Sequence, residues 1–167
     1  MKKNQATSTK IYGRGGSNMS NAILLAIVYQ LVIFPNVNAS QVSEAVKVND
    51  PMVVLINEQR KTYDVQELQE NRLLDMSAKA KACDMVEKKY WSHNSPDGVT
   101  PWKFFDDAGY KYTIAGENLI KEVKTDEDGM YLIMHSEAHK ANVIKEKYRD
   151  VGIGRCGNII VQHFGVK

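Results

Sequence analysis

Residues 72–90, RLLDMSAKAKACDMVEKKY, constrain the fold more than any other stretch of the chain. Leu73, Met76, Ala80, Cys83, Val86 and Tyr90 recur there at spacings of three and four. At about 3.6 residues per turn those positions share one side, which predicts an amphipathic helix with that side against a core. The helix cannot run on. SHNSPDG follows, in which Pro96 presets one backbone angle, Asp97 and Gly98 supply a bend, and Asn94 and Ser95 bond locally. His93 stands at this junction, where a turn has no need of an imidazole. It is either a cation at a helix C-terminus or one part of a site whose other parts lie elsewhere.

The flanking sequence supplies the other elements. Asn49 and Asp50 before Pro51 start a helix, PMVVLINEQRKTY, with Val53, Val54 and Ile56 on one side. DVQELQEN reads as a polar connection pinned by Leu68. Past the turn, Thr100 and Pro101 open a short helix with Trp102, Phe105 and Ala108 inward, and Gly109 ends it. KYTIAGENLIKEV is extended, with a bend or a close backbone approach at Gly116. Thr125 and the acids after it suit a helix N-terminus, and that helix carries Met130, Tyr131, Ile133 and Met134. DVGIGRC and NIIVQHFGV form a terminal β-hairpin turning at Gly157-Asn158. Long helices with short strands indicate an α+β fold in which helices cover a sheet.

Ahead of this domain, residues 22–35 read AILLAIVYQLVIFP, with basic residues upstream and small Ala39 in a cleavage-like pattern downstream. Residues 1–39 therefore read as a secretory signal peptide, with an uncleaved membrane anchor as the alternative and Met19 as an alternative start. Residues 40–167 are then one domain, expected to be secreted or held at the cell envelope. The formal charge of +2 includes the leader's own basic residues, and no basic stripe interleaved with aromatics appears, so nucleic acid is not an expected partner. Two cysteines, Cys83 and Cys156, leave a disulfide open in an exported protein, against a buried thiol on a helix face and a strand-end thiol.

Four histidines, His93, His135, His139 and His163, bound the imidazole chemistry. His135 and His139 are spaced to face one way on a continuous helix, from which Glu137 would point away; a break at Ser136, a good N-cap, would void that geometry. Glu117 lies in an apolar extended stretch, where a carboxylate either faces water on an edge strand or is paired. Joined with imidazoles from other segments, it could hold a divalent ion or activate a water. His163 reads as a partly exposed strand residue. No GxSxG occurs, and neither cysteine has a neighbouring histidine, so nucleophilic catalysis has little support.

Taken in order, INEQRK, AKAKACDMVEKKYWSHNSPDGVTPW, AGYKYTIAGENL, HSEAHKANVI, DVGIGRC and IIVQHFG resemble the bacterial branch of the CAP superfamily, the SCP-like domains. The resemblance spans residues 50–165 and implies a three-layer α-β-α sandwich with a small central antiparallel sheet and a surface cleft. It also implies that His93, Glu117 and His139 converge in that cleft, with His93 and His139 as ligands of Zn²⁺ or another divalent cation. Many members supply a second Glu, and here Ser136 looks aligned with it while Glu137 is one residue on. The resemblance fixes no reaction. It suggests a secreted binding module for a lipid, a cell-wall component or a protein, monomeric or weakly oligomeric. A metal-assisted hydrolase with Glu117 as general base, or a structural or adhesive domain, are the alternatives.

Overall fold

The structure, a computed structural model, describes residues 49–167; the leader and its cleavage pattern lie outside them. Helix α1 (Pro51–Thr62) opens where Asp50 accepts from the Met52 N–H at 2.9 Å, with Pro51 in the first turn. Near its end the buried Arg60 guanidinium donates to the carbonyls of Gln66, Val143 and Lys145. The polar connection that follows is more than a loop, because β1 (Gln69–Glu70) pairs parallel with β3 (Asp150–Cys156).

Helix α2 (Arg72–Glu87) is capped by Asn71, whose side chain accepts from the Leu73 N–H at 3.0 Å. Then come α3 (Pro101–Asp107), β2 (Ile114–Lys121), α4 (Asp126–Met134), α5 (Glu137–Val143), β3 and β4 (Ile159–Val166). The sheet order is β1-β3-β4-β2, antiparallel apart from the β1–β3 pair, so β2 is an edge strand. Strand alternation sorts the two faces. Ile120, Val151, Ile153, Ile160 and Phe164 pack with residues of α1, α4 and α5, while Leu119, Ile159 and Val161 pack with Ala78, Ala82 and Met85 of α2. Helices α2 and α3 thus form one outer layer and α1, α4 and α5 the other. This is the α+β fold expected of the sequence, in the three-layer form that the resemblance implies.

The buried face of α2 differs from the expected one. Leu74, Ser77, Ala78, Lys81, Ala82 and Met85 are buried, whereas Met76 is 52% and Val86 39% exposed. The helix is rotated by roughly one position, about 100°. Its contact with β3 explains why. A Cβ at Gly152 would lie 2.2 Å from the Leu74 carbonyl carbon, and one at Gly154 would lie 2.0 Å from the Lys79 nitrogen. The two glycines let the helix backbone rest on the sheet, and that approach presents Ser77 and Lys81 inward. Val54 of α1, expected on the inner side, is likewise exposed. Cys83 and Cys156 form a disulfide that ties α2 to the end of β3, with Cα atoms 5.1 Å apart. Among the described residues no helix is long and apolar enough to cross a membrane.

Candidate functional site

The β2–β4 register sets Glu117 beside His163, both on the face toward α2 and α3. Glu117 Oε2 lies 2.9 Å from His163 Nε2, and His163 Nδ1 lies 2.8 Å from Ser77 Oγ. With the carboxylate ionised, His163 donates through Nε2–H and accepts the Ser77 hydroxyl proton at Nδ1. The Phe105 ring stacks on the imidazole at 4.2 Å between centroids. His163 is fully buried, which corrects the expectation of a partly exposed strand residue. Gly152 sits opposite it on β3, so no side chain from that strand competes for the space.

His93 approaches the other carboxylate oxygen. Its Nδ1 is 2.7 Å from Glu117 Oε1, while 56% of its side chain stays exposed. The turn carrying it is held at several points. Lys89 leaves α2 with φ 54°, Ser95 Oγ donates to Asp84 at 2.7 Å, and the Ser95 N–H donates to the Val99 carbonyl at 2.8 Å. Lys81 Nζ reaches the Ser92 and His93 carbonyls at 3.0 and 2.7 Å. Neither Ser77, Lys81 nor His163 stood out in the sequence as part of a site. The only signal was the glycine pair of DVGIGRC, which permits the close approach of α2.

Behind the edge strand a second polar cluster fixes the same segment. Asn142 Nδ2 donates to the Glu117 carbonyl at 3.2 Å and to Asn118 Oδ1 at 2.9 Å. Asn118 Nδ2 donates to the carbonyl of His139 and to Gln162 Oε1. A cleft of about 330 Å³ opens at this edge between His93, Trp102 and Glu117 on one side and Asn142, Lys145 and Tyr148 on the other.

The structure therefore brings His93 and Glu117 together. His139 lines a neighbouring hollow of about 260 Å³ with Trp91, Leu132 and Ser136. The helix does break at Ser136: α4 ends at Met134, Ser136 is the N-cap of α5, and Glu137 is its exposed first residue. His135 Nδ1 turns back to the Tyr131 carbonyl at 2.8 Å. A divalent ion needs several ligand side chains about one point. Among the described residues no group of three or more His, Cys, Asp or Glu side chains is arranged that way. Glu117 takes His93 Nδ1 and leaves Nε2 as the ring's other nitrogen, the way a carboxylate orients an imidazole that ligates through its far side.

Burial pushes the Glu117 carboxyl up, but hydrogen bonds from His163 and His93 outweigh it and leave the group below its ordinary value. The bond to Glu117 raises His93 against the opposing effect of burial. Burial lowers His163, with Glu117 opposing. Burial and then the His93 charge lower His139. The signs decide the pH response. His163, depressed from 6.5, contributes stability above that value and loses it as pH falls through its folded pKa. Glu117, depressed from 4.5, adds a further loss at lower pH. His93, raised from 6.5, contributes below that value and loses its share as pH rises through its folded pKa. Urea midpoints measured between pH 8 and 4 are therefore expected to fall on the acid side from just below 6.5. In His163→Asn the first part of that fall should disappear; an unchanged profile would contradict the assignment.

Comparison with known proteins identifies the family and the fold. The profile of the cysteine-rich secretory protein family, CAP, matches residues 53–162. Uncharacterized protein YkwD of Bacillus subtilis (strain 168) is 33% identical over 131 residues, covering 77% of this chain and 51% of that protein. The chain thus spans about half the length of that relative. The crystal structure of an extracellular protein containing a SCP domain from Bacillus anthracis superposes with a TM-score of 0.67 at 23% identity, over 70% of this chain and 39% of that one. An outer surface protein from Borrelia burgdorferi does so at 0.65 and 21%, over 70% of this chain and 90% of that one. The two superpositions establish a shared fold. With the family profile across most of the domain and a relative at this identity, the chain belongs to the cysteine-rich secretory protein (CAP) family.

Proposed function

We propose that this domain is a recognition module acting outside the cytoplasm, with the cleft at the β2 edge as its binding site for an envelope component, a lipid or a protein. The commitment of Glu117 carries this reading. Each of its oxygens accepts from an imidazole, and the residue is only 5% exposed, so the carboxylate acts here to hold and orient the two rings. Ser77 is fully buried beneath His163, out of reach of a substrate, so its bond to that imidazole is an anchor. Exposed Trp102 and the half-buried amide of Asn142 supply the apolar face and polar contacts of a binding cleft. An extracytoplasmic setting agrees with the disulfide and with the descriptions of two fold relatives, one extracellular and one an outer surface protein.

The test is co-sedimentation of the purified full chain with washed bacterial envelope fragments, beside His93→Ala and Trp102→Ala proteins with intact circular dichroism. Binding that saturates and weakens about tenfold or more in both variants, roughly 1.4 kcal/mol, is the expected result. Equal binding by all three proteins would overturn the cleft as the binding site. Turnover of a peptide library, lost in Glu117→Gln, would instead establish hydrolysis.

A further inference from the structure

Lys81 lies on the buried face of α2 with no exposed surface, a placement lysine takes when its charge is paired. Its Nζ donates to the Tyr90 hydroxyl at 2.9 Å, the Ser92 carbonyl at 3.0 Å and the His93 carbonyl at 2.7 Å. Three acceptors use all three N–H bonds of an ammonium, whereas a neutral amine has only two. The Tyr90 and Phe104 rings stand with centroids 4.7 and 5.6 Å from the same nitrogen, adding cation–π attraction. Tyr90 in turn bonds Asp84 and Ser95, so the ammonium is the inner end of a polar cluster that grips the whole turn.

The placement of these bonds is what matters. An apolar side chain would fill the same space under α3, yet this one spends its donors on the backbone of the residues that deliver the cleft's exposed imidazole. The Ser92–His93 backbone belongs to no helix or strand, and a shift of about 1 Å there would break the 2.7 Å contact between His93 and Glu117.

We infer that Lys81 is the positioning residue of this cleft, holding the Ser92 and His93 carbonyls so that the His93 ring meets Glu117. The ammonium also stands within Coulomb reach of Glu117 and favours its ionised form, the form that accepts from both imidazoles. Lys81 itself touches no ligand; it acts through His93. The inference rests on the reading of the cleft as the binding site, because only there does the position of His93 carry function.

The experiment uses Lys81→Met and Lys81→Gln in the full chain. Methionine keeps the apolar stem and removes every donor; glutamine keeps an amide donor without the charge. Histidine ring signals are followed by long-range ¹H–¹⁵N correlation, with envelope co-sedimentation alongside. In Lys81→Met the His93 signals should lose the signature of an Nδ1–H bound to a carboxylate and, with that bond gone, titrate closer to the ordinary 6.5, whereas loss of the Lys81 charge alone would move them upward. The His163 signals, held by Ser77 and Glu117, should stay, and binding should fall about tenfold, roughly 1.4 kcal/mol. Lys81→Gln should recover part of both losses. Wild-type His93 signals and binding in the Met protein, with only a lower melting temperature, would overturn the inference. Should the Met protein fail to fold, the Gln protein decides: displaced His93 signals with His163 unmoved support it, and wild-type signals overturn it. If His93→Ala leaves envelope binding intact, the binding reading falls, while the ring signals still decide the role of Lys81.

Discussion

Glu117→Ala is expected to lower unfolding free energy by about 3–5 kcal/mol, one of the two largest losses available in this domain. The cost falls mainly on the buried side of the pair. His163 has no exposed surface, so removing the carboxylate strands its Nε2–H away from water. His93 is mostly exposed and can turn to solvent, which limits its share. Glu117→Gln should cost less, because an amide oxygen still accepts from one imidazole while its NH₂ faces the other. Urea unfolding monitored by tryptophan fluorescence measures both. A loss under about 1 kcal/mol for the alanine variant would mean that the pair lies open to water and that the described burial is wrong.

Breaking the Cys83–Cys156 disulfide should produce a loss of comparable size. The bond closes a sequence separation of 73 residues, for which chain entropy in the unfolded state gives about 4 kcal/mol. It also fixes α2 to the strand that carries Gly152 and Gly154, the two points of closest helix–sheet approach. Reduction is therefore expected to loosen the face bearing Ser77 and Lys81 as well as to lower stability. Denaturation with and without reductant, beside a Cys83→Ala/Cys156→Ala protein, should show reduced wild type and the double variant alike. A double variant as stable as the oxidised protein would contradict this.

These effects show why some elements were legible in the sequence and others were not. The turn at Ser95–Gly98 and the hairpin at Gly157-Asn158 depend on local chemistry and stand where residue type puts them, whereas the break at Ser136, only an alternative in the sequence, forms without a side-chain capping bond. The buried face of α2 is different. Apolar periodicity pointed to Leu73, Met76 and Ala80, but the helix buries Ser77 and Lys81, whose partners are supplied by β4 and by the carbonyls after the helix. A polar residue's burial follows from its partner, and no pattern within one helix reveals a partner that lies outside it. His163 was missed for the same reason, since alternation along β4 shows which residues share a face but not that an acid waits on the adjacent strand. Glu117 was recognised because a carboxylate in an apolar strand needs an explanation, and its two imidazoles provide one.

One carboxylate is shared between an exposed and a buried imidazole. Long-range ¹H–¹⁵N correlation on the histidine rings, followed from pH 8 to 4, tests it most directly. His163 should remain a neutral Nε2–H tautomer well below 6.5, with Nδ1 accepting from Ser77. His93 should carry its proton on Nδ1 and titrate above 6.5. Two rings that titrate together near that value, with His93 in the Nε2–H form, would contradict the shared carboxylate and with it the cleft built around Glu117.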